Sequence, residues 1–163
     1  MAFKYYEKVA TNENCAAGEL KIGSFYEEEK GIKKDLRMAA YWYKKSANNE
    51  NLIAQFNLAR MYKNGDGIDK DYNKAFEIFK QLAEKEYSKG ISMLAYCYYN
   101  GIGTKVDNQK ALGTAQYNLA NIYENEVILK DIGKAIYWYK KSAKQGYPNA
   151  QSKLEKFIQI INI

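Results

Sequence analysis

Four aspartates, Asp35, Asp71, Asp107 and Asp131, recur along a chain of 163 residues. Repeated carboxylates are side chains that could do acid-base or metal chemistry. The first three stand 36 residues apart, and each precedes a helical pattern. An aspartate there accepts hydrogen bonds from the orphan backbone N–H groups of the first turn, so the spacing favours capping over catalysis. GIGTKV, residues 101 to 106, has the outline of a nucleotide-binding glycine loop, but lacks the third glycine and the following strand and lysine of a phosphate cradle. GDGIDK holds the same place one unit earlier, so both read as inter-helix turns in which glycine permits positive φ. Two cysteines, Cys15 and Cys97, are too few for a disulfide framework or a zinc site. Cys97 aligns with Met61 and Phe25 as a buried apolar position, and Cys15 opens a helix. There is no histidine, so the usual proton shuttle and the commonest metal ligand are missing. No catalytic set, cofactor site or metal site is expected, and the chain reads as a non-enzyme.

The elements that would position these residues are helices. Apolar residues make up 47% and charged residues 27%, with a net charge of +6, a globular composition far from the disordered class. Sixteen tyrosines against six phenylalanines and two tryptophans suit a thin, high-surface architecture, because a tyrosine ring packs while its hydroxyl reaches water. The opening MAFKYYEKVATNEN has charges where a signal peptide needs an apolar core. The longest apolar run, FIQIINI at 157 to 163, is too short to cross a membrane and is expected to cover an exposed end. A cytoplasmic protein with no membrane partner is the expectation.

Shifting the sequence by 36 residues aligns Tyr26, Tyr62 and Tyr98; Gly23, Ala59 and Ala95; and Ala39, Ala75 and Ala111. A period in the mid-thirties predicts stacked two-helix units, since one unit cannot bury its own apolar face. Ala54, Leu58, Met61 and Tyr62 mark a first helix, A; Ala75, Ile78, Phe79, Leu82 and Ala83 mark a second, B. The expected units are 1–14 (a lone helix B), 15–50, 51–87, 88–112 (truncated), 113–146 and 147–163 (a capping helix). Because the chain opens directly at a helix B, self-association through that end is a further expectation. The heptapeptide YWYKKSA, at 41–47 and again at 137–143, is helix B of two units. In the truncated unit Ala111 and Ala115 stand 4 residues apart where Ala75 and Gly90 stand 15 apart, so eleven residues are missing. Eleven is close to three turns at about 3.6 residues per turn, which preserves the phase of the apolar face. One continuous helix from about Asp107 to Glu124 is predicted.

The pattern A-x-x-x-L-A-x-x-Y-x-x-G-x-G, then D-x-x-K-A-x-x-W/F-Y/F-x-x-x-A, resembles Sel1-like repeats, relatives of the tetratricopeptide repeat. ANIYENEVILKDIGKAIYWYKKSAKQG, NLARMYKNGDGIDKDYNKAFEIFKQLA and LAYCYYNGIGTKVDNQKAL carry it. The first unit lacks its first turn glycine, and the fourth unit's turn has none. The resemblance implies a right-handed α-solenoid of antiparallel two-helix repeats that serves as an adaptor for protein complexes, with relatives that sit beside kinase domains in signalling proteins. The β-lactam hydrolysis linked to cysteine-rich members does not carry over, because neither the paired cysteines nor a nucleophile with a base is here.

The face of helix A opposite its packing face is the expected partner site. Phe56, Arg60, Lys63 and Asn64 lie on it in the second unit, Tyr96 and Tyr99 in the third, and Tyr117 and Asn121 in the fourth. Aromatic rings beside Arg and Asn are the makings of a peptide-binding hot spot. Two alternatives stand beside this one: a regulatory repeat fragment of a kinase-linked signalling protein, and nucleic-acid binding through a basic helix B face of Lys44, Lys45, Lys140, Lys141 and Lys144. The second is disfavoured, since lysine is the ordinary choice for a solvated helix face.

Overall fold

The computed structural model describes residues 2–12, 15–125 and 131–161, in which there are helices and no strand. Among the described residues α1 spans Ala2–Asn12, α2 Ala16–Glu28, α3 Leu36–Asn48, α4 Leu52–Asn64, α5 Tyr72–Glu84, α6 Ser88–Asn100, α7 Asn108–Asn125, α8 Ile132–Lys144 and α9 Pro148–Ile161. This is the expected all-α helical repeat. The chain divides into two compact units, Met1–Leu82 and Ala83–Ile163. The glycine-free turn of the fourth unit, at 126–130, lies outside the described residues, as does the end of the FIQIINI tail.

The recurring aspartates are caps. Asp35 accepts from the N–H groups of Arg37 and Met38, and Asp71, Asp107 and Asp131 accept from those of Lys74, Lys110 and Lys134. Each also ties its own N–H back to the tyrosine ending the preceding helix A: Asp35 to Tyr26, Asp71 to Tyr62, Asp107 to Tyr98 and Asp131 to Tyr123. The lysine of D-x-x-K completes the turn in three units. Lys74, Lys110 and Lys134 lie 3.1, 3.4 and 3.2 Å from their aspartates and 5.4, 5.5 and 5.4 Å from the tyrosine rings. Those backbone N–H bonds, with the lysines, hold the carboxyls of Asp71, Asp107 and Asp131 below their ordinary range.

In the first compact unit α2 and α3 pack antiparallel, since Ser46 donates to the Ala16 carbonyl while Tyr43 meets Glu27 at the other end of α2. One core joins Ala39, Ala40, Tyr43, Ala47, Ala54, Leu58 and Met61; a second joins Ala10, Ile22 and Trp42 with Phe3 and Tyr6 of α1. The small residue at Gly23 is required here, because an added Cβ would stand 2.6 Å from the Tyr43 ring. Gly67, at φ +68°, lies on the Leu36 carbonyl, where a side chain has no room. Where the first unit lacks its turn glycine, Glu29 takes the left-handed conformation itself, at φ 56°.

In the second compact unit the predicted fusion is present: α7 runs unbroken over 18 residues, Asn108–Asn125. Along one side it packs antiparallel to α6, from Asp107 against Tyr98 to Asn118 against Ser88 and Ser92. Along another it packs antiparallel to α8, with Gly113 accepting from Ser142 and Asn121 from Tyr139. The helix is therefore B to α6 and A to α8. Gly113 makes this approach possible, since its Cβ would come 2.8 Å from that of Gln145.

Candidate functional site

The repeated YWYKKSA supports the helix A face from behind. Its serines, Ser46 and Ser142, are fully buried and donate at 2.6 and 2.7 Å to carbonyls at the same level of the helix A they pack on, Ala16 and Gly113. Its second tyrosines, Tyr43 and Tyr139, are 1% and 0% exposed, with hydroxyls aimed at the far end of that helix. Tyr43 donates to Glu27 at 2.7 Å, and Arg60 binds the other oxygen of Glu27. Tyr139 donates to Asn121 and Glu124. Burial, reinforced by the carboxylate, raises both phenols far above their ordinary pKa and keeps them neutral.

In the first compact unit this framework floors a groove of about 610 Å³ between α2 and α4. Leu20, Ser24, Glu27 and Glu28 line it from α2, and Ile53, Asn57 and Arg60 from α4, with Lys21 and Lys34 beside them. Arg60 is held between Glu27 and Asp66. Phe56 is half-buried, its ring 5.8 Å from that of Phe79. Lys63 is half-buried and Asn64, which donates to Asp66 at 2.9 Å, is exposed.

In the second compact unit Tyr96 and Tyr99 of α6 are 46% and 65% exposed. Beside them Asn118 bridges Ser88 and Ser92, and Asn100 donates to the Tyr96 carbonyl. Tyr117 and Asn121 do not belong to this surface, which corrects the expectation for them. Tyr117 is 0% exposed: its hydroxyl donates to Glu86 at 2.7 Å and its ring stacks 4.5 Å from that of Tyr147. Asn121 is 8% exposed and accepts from Tyr139. Both face inward because α7 has a neighbour on each side. Burial also pushes the Tyr147 phenol up to about 12. Lys153 of α9 closes the cluster, 3.1 Å from Glu124 and 3.4 Å from Glu86.

The expected site also omitted the first repeat's share of the surface. Leu20, Ser24, Glu27 and Glu28 stand 36 residues before Phe56, Arg60, Lys63 and Asn64, and all four line the groove. The signal that finds them is the repeat register. On the helix B side Lys45 is no solvated charge, since it lies 3.1 Å from the fully buried carboxylate of Glu19 and 5.4 Å from the Trp42 ring. Asn49 donates to the other oxygen of Glu19. Cys97 is buried as expected, and Cys15 is half-buried at the start of α2. Among the described residues no acidic and cysteine side chains gather as a metal site, and no helix is long and apolar enough to cross a membrane.

Antiparallel helix pairs with a glycine turn, an aspartate cap and a tyrosine carbonyl closing each turn define a two-helix repeat protein. The Sel1 repeat model matches residues 1–14, 16–51, 52–87, 88–113 and 113–147, and the chain belongs to the Sel1 repeat family. Two of these matches meet at residue 113, inside α7. The structure is similar to the crystal structure of a Sel1 repeat protein from Oxalobacter formigenes, with a TM-score of 0.61 and 31% identity over 95% of this chain and 70% of that one. It is also similar to a protective antigen of uropathogenic Escherichia coli strains displaying an SLR fold, with a TM-score of 0.64 and 31% identity over 96% of this chain and 36% of that one. A comparison with curated proteins gives no match. Sel1 repeats are generally protein-interaction modules and typically non-catalytic scaffolds.

Proposed function

We propose that this chain is a non-catalytic adaptor that holds a peptide or helix of a partner protein on its helix A face, in the assembly of cytoplasmic or signalling complexes. The observation that carries the reading is the open groove between α2 and α4, lined by polar and apolar side chains over a hydrogen-bonded floor. Phe56, Arg60, Lys63 and Asn64 belong to the face in the first compact unit, and Tyr96 and Tyr99 in the second. Exposed tyrosines give contact area at low entropic cost, while Arg60, fixed by Glu27 and Asp66, presents its remaining N–H groups in a set direction. Tyr117 and Asn121 act beneath the surface as supports.

The test is selection of a displayed peptide library on the purified protein, repeated with Arg60→Ala and with Tyr96→Ala/Tyr99→Ala variants of unchanged circular dichroism. Peptides retained by the native chain and lost by either variant are expected. A library that yields none, or yields peptides indifferent to both variants, refutes the adaptor reading. One observation favours the nucleic-acid alternative: α8 carries Lys134, Lys140, Lys141 and Lys144 and no acidic residue, with Tyr137 exposed among them. That reading requires single-stranded nucleic acid to bind with an affinity that falls steeply with salt.

A further inference from the structure

We propose that the groove between α2 and α4 takes an acidic segment of a protein partner, its carboxylates on Lys21 and Lys34 and its apolar side chains against Leu20 and Ile53. The inference rests on the adaptor reading and names the chemistry of what the groove accepts.

The charges lining the groove are Lys21, Lys34, Arg60, Glu27 and Glu28, and they are not equally available. Glu27 is satisfied by the Tyr43 hydroxyl and by Arg60, and Glu28 pairs with Lys30. Arg60 is occupied by Glu27 and Asp66. Lys21 and Lys34 are exposed, and neither has a carboxylate within ion-pair distance among the described residues. Lys21 makes only a contact of its ammonium 5.8 Å from the Phe25 ring. The open charge of the groove is thus two cations, although its formal sum is only +1.

The rest of the lining separates a peptide from other polyanions. Leu20 and Ile53 are partly bared apolar side chains in the groove wall, and a sugar-phosphate chain has nothing apolar to set against them. A phosphate on every residue would also bring unbroken negative charge past Glu27 and Glu28. An acidic protein segment spaces its carboxylates among apolar residues, so it sets charge against Lys21 and Lys34 and apolar side chains against Leu20 and Ile53. Asn57 and Ser24 also line the groove, and the side chains of both bond peptide groups well.

The experiment is fluorescence anisotropy with a labelled dodecapeptide alternating Asp or Glu with Leu or Phe, its Asn/Gln isostere, and a Lys-for-acid counterpart. The acidic peptide should bind at least about tenfold more tightly than the isostere, with the basic one weaker still. Lys21→Glu/Lys34→Glu should abolish the preference, whereas Lys85→Glu, outside the groove, should leave it intact. Equal binding of acidic and isosteric peptides, or a preference that survives Lys21→Glu/Lys34→Glu, overturns the proposal. Displacement of the acidic peptide by oligo-dT at equal charge concentration overturns it in favour of a general anion site. Library peptides that depend on Arg60 or Tyr96 but carry no acidic bias would sink this inference while leaving the adaptor reading standing. A library that yields nothing would sink both.

Discussion

Tyr43→Phe isolates the hydroxyl that ties helix B to the groove. The ring stays, and Phe79 fills the equivalent place in the next repeat as a buried phenyl, so no cavity or clash is introduced. What is lost is a 2.7 Å donation to an ionised carboxylate, an interaction that contributes about 1.5–3 kcal/mol. Glu27 keeps its pairing with Arg60, which places the loss at the lower end, about 1.5–2 kcal/mol. The chain has two tryptophans, one in each compact unit, so a Trp138→Phe background leaves Trp42 to report on the first. Urea unfolding followed by its fluorescence should show the midpoint falling by about 1 M for a denaturant slope typical of this size. The phenol adds a second signature. Its pKa is raised in the folded protein, so its contribution is fully present below the unfolded value near pH 10 and is lost as pH rises toward the folded value. Native stability should therefore decline above about pH 10, and the variant's decline should be shallower by up to about 1.4 kcal/mol per pH unit. A midpoint shift under about 0.3 M, or an unchanged alkaline slope, would refute the role assigned to the Tyr43–Glu27 bond.

Gly23→Ala should destabilise the first compact unit by about 1–3 kcal/mol, because the new methyl meets the fixed Tyr43 ring; chemical denaturation measures it. Gly67→Ala should cost more than Gly23→Ala in the same assay, since its Cβ meets backbone at Leu36 and its φ is positive. Glu29→Gly should stabilise by about 0.5–1 kcal/mol, relieving a left-handed conformation at an exposed side chain. Because the carboxyls of Asp71, Asp107 and Asp131 are held low when folded, their capping contribution is present above the unfolded value near pH 4 and disappears as pH falls through the lower folded values. Thermal melts should therefore show Tm falling below about pH 4, and Asp107→Asn, which keeps a capping oxygen without the charge, should weaken that fall.

Most of the architecture was legible because the repeat states its own register. The period of 36 placed the caps Asp35, Asp71 and Asp107, the turn glycines and the small residue Gly23 beneath Tyr43, and the count of eleven missing residues predicted the single α7. Two things escaped. The projection that put Tyr117 and Asn121 on the open face assumed a helix A with one packing side, whereas α7 is packed by α6 and α8 together and by Tyr147 across the ring of Tyr117. The groove escaped for a different reason: Leu20, Ser24, Glu27 and Glu28 differ in type from their counterparts one repeat later, so composition did not flag them, and only carrying the face back by one period of 36 finds them. The pairing of Lys45 with buried Glu19 had no sequence signal, since it joins residues 26 positions apart through a contact only packing creates.

Helix α7 shows how such an array can be spliced. Removing a whole number of helical turns from within a repeat joins the front of one helix to the back of the next without rotating either apolar stripe, and a glycine at the seam lets the neighbour settle against the merged helix. Repeat number is then not the smallest step by which the family can change length. The merged helix keeps Ala111, Gly113, Thr114, Tyr117, Ala120 and Asn121 buried on both sides of the seam. Cutting three turns at the matching seam of a longer Sel1 array is therefore a rule for engineering its length, with Gly113 as the residue to copy.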